Sequence, residues 1–190
     1  MVEKTNRRDD IIAAAADLFT QQGYSATTVR EIAEKVGCAE AALYYHFKGG
    51  KRELLNAVFD SYIPDLKGAL DEMAQGTSLH DAILRFGLMM VQLAPAKMER
   101  WRWILAEMPR LTEAERGQIQ QRFMTIHNGV TDQIARFVDD RVEADQIAWL
   151  VMSAMFGYGQ FFFSLDIQSL VDLPSLHFVE RLAAGIVAGR

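Results

Sequence analysis

From Arg7 onward the apolar residues Ile11, Ile12, Ala15, Leu18 and Phe19 recur at the spacing of one helix face and stop at Gly23. Glycine suits the left-handed conformation that closes many helices, so a first helix is predicted to end there. Thr28 to Glu31 then reads as a capping box, in which a threonine hydroxyl and a glutamate three residues on satisfy each other's backbone donors. Val29, Ile32, Ala33 and Val36 give that second helix a buried stripe, ended by Gly37 after barely two turns. A third short helix is predicted from Ala39 to Phe47, with Ala42, Leu43 and Phe47 inward, broken by Gly49 and Gly50. Lys51 to Ala74 restarts as a longer linking helix, interrupted or kinked near Pro64.

Beyond Gly76 the predicted helices lengthen. Ser78 to Leu93 is stopped by Pro95, and Ala96 to Met108 by Pro109. Thr112 and Glu115 form a second capping box, and Ile119, Phe123, Ile126, Val130, Ile134 and Phe137 mark a stripe reaching about Asp139. Helices over about Ala144 to Leu165 and Ser175 to Ala188 bring the total to about nine. Strand signals are scarce, so the expected fold is all-α. A three-helix amino-terminal domain, 1–50, precedes a larger helical body, 51–190, that begins with the linking helix 51–74.

Composition narrows the function classes. Among 190 residues 50% are hydrophobic and 24% charged, enough to build a sizeable core. The net charge of −5 argues against binding nucleic acid by overall basicity. Through Leu55 the basic and acidic side chains balance, so the rest carries the whole excess; this reads either as a field that directs DNA toward the amino-terminal end or simply as a solvated acidic surface. One cysteine excludes a disulfide framework and a cysteine-cluster metal site. The four histidines lack metal-ligand spacing, and neither a phosphate-binding glycine loop nor a serine elbow is present; no enzyme activity, metal or cofactor is expected. Met1 to Asp10 is charged with no apolar run behind it, which predicts a cytoplasmic protein. Ile147 to Leu165 is uncharged and nearly long enough to span a bilayer. Its internal Ser153, Gly157, Gly159, Gln160 and Ser164, and the flanking Asp145 and Asp166, favour a helix buried by protein over a membrane partner.

Two short helices joined by a glycine turn, with another packed across them, have helix-turn-helix geometry. Between Ile11 and Leu54 stand Phe19, Gly23 and Tyr24, then Thr27, Thr28, Ile32, Ala33 and Gly37, then Leu43, Tyr44, Tyr45, His46 and Phe47, and finally Lys51, Glu53 and Leu54. In residue type and spacing this resembles the amino-terminal DNA-binding domain of the TetR family of bacterial transcriptional regulators, over about the first quarter of the chain. The resemblance implies a recognition helix for a double-stranded DNA operator, a homodimer, and a small-molecule site in the helical body.

Within that frame the candidate DNA-binding residues are Thr28, Arg30, Ala39, Glu40, Ala41, Tyr44, Tyr45, His46, Lys48 and Lys51. Tyr45 and His46 point outward if Leu43 and Phe47 point in, while Tyr44 reads equally as an edge-of-core aromatic. Lys51, in a helix's first turn, is poorly placed for the dipole and well placed for a phosphate. Three features depart from the family pattern. Ala39 replaces a hydroxylated cap, Ala41 and Ala42 offer only methyls, and Lys48 to Lys51 holds one extra residue. Cys38 reads as a small buried hydrophobe more readily than as a redox sensor.

In the body, small residues one turn apart (Ser153 and Gly157, Ala184 and Ala188) suit close helix contact, and with Phe161 they form the predicted dimer interface. Phe86, Met89, Met90, Trp101, Trp103, Phe123, His127 and Phe156 are candidate walls for an uncharged, apolar effector, although such residues more often build core. The expected function is a DNA-binding transcriptional regulator, most simply a repressor released by that ligand. A constitutive or architectural DNA-binding dimer and a helical adaptor for proteins or membranes remain the alternatives.

Overall fold

A computed structural model of the chain describes residues 7–61 and 63–190, with the side chains of 63–66, 94–101 and 103 outside that description. Every regular element among the described residues is helical. The order is α1 (Arg7–Gln22), α2 (Val29–Val36), α3 (Glu40–His46), α4 (Gly50–Asp60), α5 (Ile63–Ala74), α6 (Leu79–Glu107), α7 (Glu113–Ile134), α8 (Arg141–Gly159) and α9 (Ser175–Ala188). The all-α expectation holds, with nine α-helices among the described residues, but two boundaries moved in opposite directions. The linking helix divides at Ser61 into α4 and α5, and the two helices expected on either side of Pro95 are one, α6, of 29 residues. A proline removes one backbone donor and strains the preceding turn. In so long a helix the bonded turns on both sides outweigh that local loss.

The chain packs as two units. One runs to Ile63 and takes in Arg100–Ile119; the other takes Pro64–Glu99 and Gln120–Arg190. This grouping by packing differs from a division at residue 50, because α4 and the junction of α6 with α7 build the first unit's core. In that core Ile11, Ala15, Phe19, Ile32, Leu43, Phe47, Leu54 and Val58 are fully buried, with Ile104, Leu111 and Ile119 in the same cluster. Burial of each large side chain contributes about 1.5–3 kcal/mol, so this unit has a core of its own. The capping box of α2 forms as expected, and Gly37 closes the helix in the left-handed region at φ 70.

The second unit centres on Met73, Ile83, Phe86, Val130, Ile134, Val151 and Val179. Gly87 lets α6 approach α9 closely, since a Cβ there would lie 2.5 Å from Cγ1 of Val179. Asp140 caps α8 by accepting from the Val142 amide at 2.9 Å, and the helix runs on into one π-helical turn, Gln160–Ser164. By length and composition residues 141–164 could cross a membrane; here Ala144, Ala148 and Val151 on one face are fully buried in the unit's core.

Candidate functional site

The first unit holds α3 from beneath and presents its outer face to solvent. Leu43 and Phe47 are fully buried, which turns Ala39, Glu40, Ala41, Tyr44 and Tyr45 outward, with exposed Lys48 just beyond. Tyr45 is 80% exposed and Tyr44 46%, so neither ring serves chiefly as core. Large aromatics left in water on a short helix offer hydroxyl and ring to a partner. Half-buried His46 meets the Tyr45 ring edge-on at 5.2 Å between centroids. Ala39 occupies the N-cap position of α3 with extended backbone and no side-chain cap.

Two other candidates are already engaged. The Thr28 hydroxyl accepts from the Glu31 amide at 3.2 Å and donates to the Glu31 carboxylate at 2.8 Å. Arg30 pairs with Glu34 at 2.8 Å on an exposed face, an ion pair that solvent screens and a phosphate could displace. Cys38 is half-buried.

Lys51 is placed in a way its sequence position does not suggest. Its ammonium donates to the carbonyls of Tyr24 at 2.9 Å, Ser25 at 3.3 Å and Thr27 at 2.8 Å, and it lies 4.6 Å from the centre of the Tyr24 ring. Three donors meet three acceptors, so the side chain braces the turn between α1 and α2 from within. Burial holds the ammonium below the usual lysine range, against the opposing pull of Glu107, Glu115 and Glu31.

The same turn is gripped by two buried carboxylates. Glu107 accepts from the Ser25 amide at 3.1 Å and the Ser25 hydroxyl at 2.7 Å, while its other oxygen takes Arg110 at 3.1 Å. Glu115 accepts from the Tyr24 hydroxyl at 3.0 Å with one oxygen and from the Thr112 amide and hydroxyl with the other. Burial pushes both carboxyls up, but these hydrogen bonds and neighbouring Arg110 or Arg52 outweigh it and hold both below the ordinary glutamate range. Burial, and then the bond to Glu115, raises the Tyr24 hydroxyl well above its ordinary value. Gly23 makes the turn possible, with φ at 88 and room for a Cβ only 2.9 Å from a Glu107 oxygen.

Sequence reasoning identified Glu115 as a cap and missed its second bond, and it missed Glu107 entirely. One signal was present. Glu107 is an acid in the last turn of α6, where the helix dipole disfavours it, so some other partner had to hold it there.

The effector candidates fall in several environments. Phe86 is fully buried core, Met89 and Met90 pack half-buried against that core, and Phe156 is exposed. Phe123 lies 5.8 Å from Trp149, ring centre to ring centre, and His127 is completely buried beside Trp149 at 4.2 Å. The side chains of Trp101 and Trp103 lie outside the described residues. Of the dimer candidates Ser153, Phe161, Ala184 and Ala188 are exposed, and a Cβ added at Gly157 would meet nothing within 4 Å. No metal-ligating cluster occurs among the described residues.

Residues 11–58, which carry most of α1, all of α2 and α3 and most of α4, match the family described as bacterial regulatory proteins, tetR family. The HTH-type transcriptional repressor KstR2 of Rhodococcus jostii is 36% identical over 70 residues, covering 37% of this chain and about a third (34%) of that protein's length. The biofilm operon icaADBC HTH-type negative transcriptional regulator IcaR of Staphylococcus aureus is 27% identical over 135 residues, 70% of each chain. The fold extends the likeness beyond the amino-terminal unit. The transcriptional regulator FadR from Bacillus subtilis, solved in complex with stearoyl-CoA, superposes with a TM-score of 0.76 at 13% identity, covering 96% of this chain and 98% of that one. With the helix-turn-helix motif in sequence, its outward α3 in structure and these relatives in agreement, residues 11–58 form a DNA-binding domain of the kind found in the tetR family of bacterial regulatory proteins.

Proposed function

We propose that the chain is a sequence-specific DNA-binding repressor that acts in the cytoplasm as a homodimer on a palindromic operator and is released by a small apolar ligand. The observation that carries DNA binding is the solvent-facing α3, with Tyr45 80% exposed above fully buried Leu43 and Phe47. A recognition helix needs this combination of rigid footing and free side chains to reach base edges and phosphates in the major groove. Functionally, residues 1–50 read DNA and 51–190 carry ligand binding and dimerisation. Repression is supported by the names of the KstR2 and IcaR relatives, and room for a long apolar chain in the ligand, though not for its polar end, by the acyl chain of the stearoyl-CoA bound to FadR.

Two recognition helices must meet major grooves roughly 34 Å apart, so modest changes in their aim spoil joint docking. The chain passes between the two units at 63/64, 99/100 and 119/120. Ligand state therefore has three covalent routes to the DNA-reading unit, and Glu107 and Glu115 lie on the segment between the last two. A ligand lowers operator affinity only as far as it prefers the DNA-incompetent state, and DNA lowers ligand affinity by the same factor.

Selection from random duplexes followed by gel shift tests this. The protein should enrich a two-fold symmetric site, and Tyr45→Ala should weaken binding to it about tenfold or more with an unchanged circular dichroism spectrum. Failure to enrich any site, or unaltered affinity in the variant, removes the assignment of α3 as the reading helix.

A further inference from the structure

We infer that His127 is the polar anchor of the ligand site, and that its Nδ1 accepts a hydrogen bond from a hydroxyl on an otherwise apolar molecule of the alkylphenol type. The role of such a ligand as effector rests on the function proposed above; the binding chemistry is a separate matter.

His127, in α7, is completely buried, and among the described residues neither ring nitrogen has a hydrogen-bond partner. Buried polar atoms are nearly always paired, so an imidazole with both nitrogens open points to a group that comes from elsewhere. The neighbouring Thr131 hydroxyl is not that partner, because it donates to the His127 backbone carbonyl at 3.0 Å. Trp149 covers the imidazole at 4.2 Å with a tilt of 31°, and Phe123 flanks Trp149, so the surroundings are aromatic.

Asp145 sets the polarity. Its Oδ1 lies 3.8 Å from Nε2, too long for a hydrogen bond but close enough for its charge to act on the ring. A neutral imidazole carries one N–H and one bare lone pair. Turning the N–H toward the carboxylate is favourable and turning the lone pair toward it is repulsive, so the proton belongs on Nε2. Nδ1 is then an acceptor only. A ligand carboxylate would oppose that lone pair and the Asp145 charge, and an ester or thioester carbonyl brings no donor. A hydroxyl satisfies Nδ1, and an aromatic ring beneath it suits Trp149 and Phe123.

Calorimetric titration of the full chain with 4-octylphenol, its O-methyl ether and 4-octylbenzoate tests this, since the three differ only at the polar end. The phenol should bind about tenfold more tightly than the other two, the ratio one hydrogen bond supplies. His127→Leu should erase the preference, and His127→Asn, whose amide oxygen can stand near the Nδ1 position, should restore part of it. Asp145→Asn, on a half-exposed residue, permits either tautomer and should narrow the preference; it decides the matter should the His127 variants not fold. Equal binding of all three by the unaltered protein, a preference surviving in His127→Leu, or no binding of any probe overturns the assignment. A phenol preference without operator release upholds His127 as anchor and overturns the effector reading instead.

Discussion

Lys51 shows how hydrogen-bond arithmetic decides a side chain's role. From its place in a first turn it reads as a phosphate contact, yet all three of its donors are met by the carbonyls of Tyr24, Ser25 and Thr27. The ammonium therefore holds the turn that leads into α2. Lys51→Met keeps a long apolar side chain and removes the ammonium, leaving three carbonyls of a partly buried turn without this donor. Urea unfolding should show a loss of about 1–3 kcal/mol. Operator affinity should fall while the dependence of log affinity on log salt keeps its slope. A slope reduced by about one unit would put the ammonium on a phosphate after all.

At the scale of elements, what could be read from the sequence was what short-range chemistry determines. The Thr28–Glu31 and Thr112–Glu115 boxes form with the expected bonds because every partner lies within four residues. Pro95 misled because a local breaking rule was applied to a 29-residue helix whose stability is distributed along its length. Ala39 was legible as a missing cap, and the structure makes that deficiency testable. Its backbone, at φ −74 and ψ 148, already has N-cap geometry, but its methyl accepts nothing from the first turn of α3. Ala39→Ser supplies an oxygen without moving the chain. Thermal unfolding should show a gain of about 0.5–1.5 kcal/mol. A neutral or destabilising result would mean that the first-turn amides of α3 are satisfied some other way.

At the scale of the whole molecule, the outward face of α3 could be read from helical spacing, whereas the grip on the turn beside it could not. Tyr24 and Glu115 stand 91 residues apart, and periodicity carries no information about which distant polar groups meet. The same contrast bears on assembly. Leu150, Ser153, Gly157 and Phe161 fall three to four residues apart along α8 and its π turn; all but half-buried Gly157 are exposed, as are Ala184, Val187 and Ala188 of α9. Such an apolar face, relieved by small residues, suits a second copy of itself related by two-fold symmetry. Gly157 gives a clean test, because within one protomer an added Cβ meets nothing within 4 Å. Replacing a mid-helix glycine by leucine improves helix propensity, by up to about 1 kcal/mol. The single chain should therefore fold at least as well in Gly157→Leu, and any harm must come from the facing copy. Ala184→Glu attacks the same face by burying an unpaired charge. Sedimentation should show a dimer for the unaltered protein and folded monomers for both variants. Operator affinity should fall by about 10² or more, since the second half-site then binds without the gain of linkage. Folded dimers in both variants would move the interface elsewhere on the body.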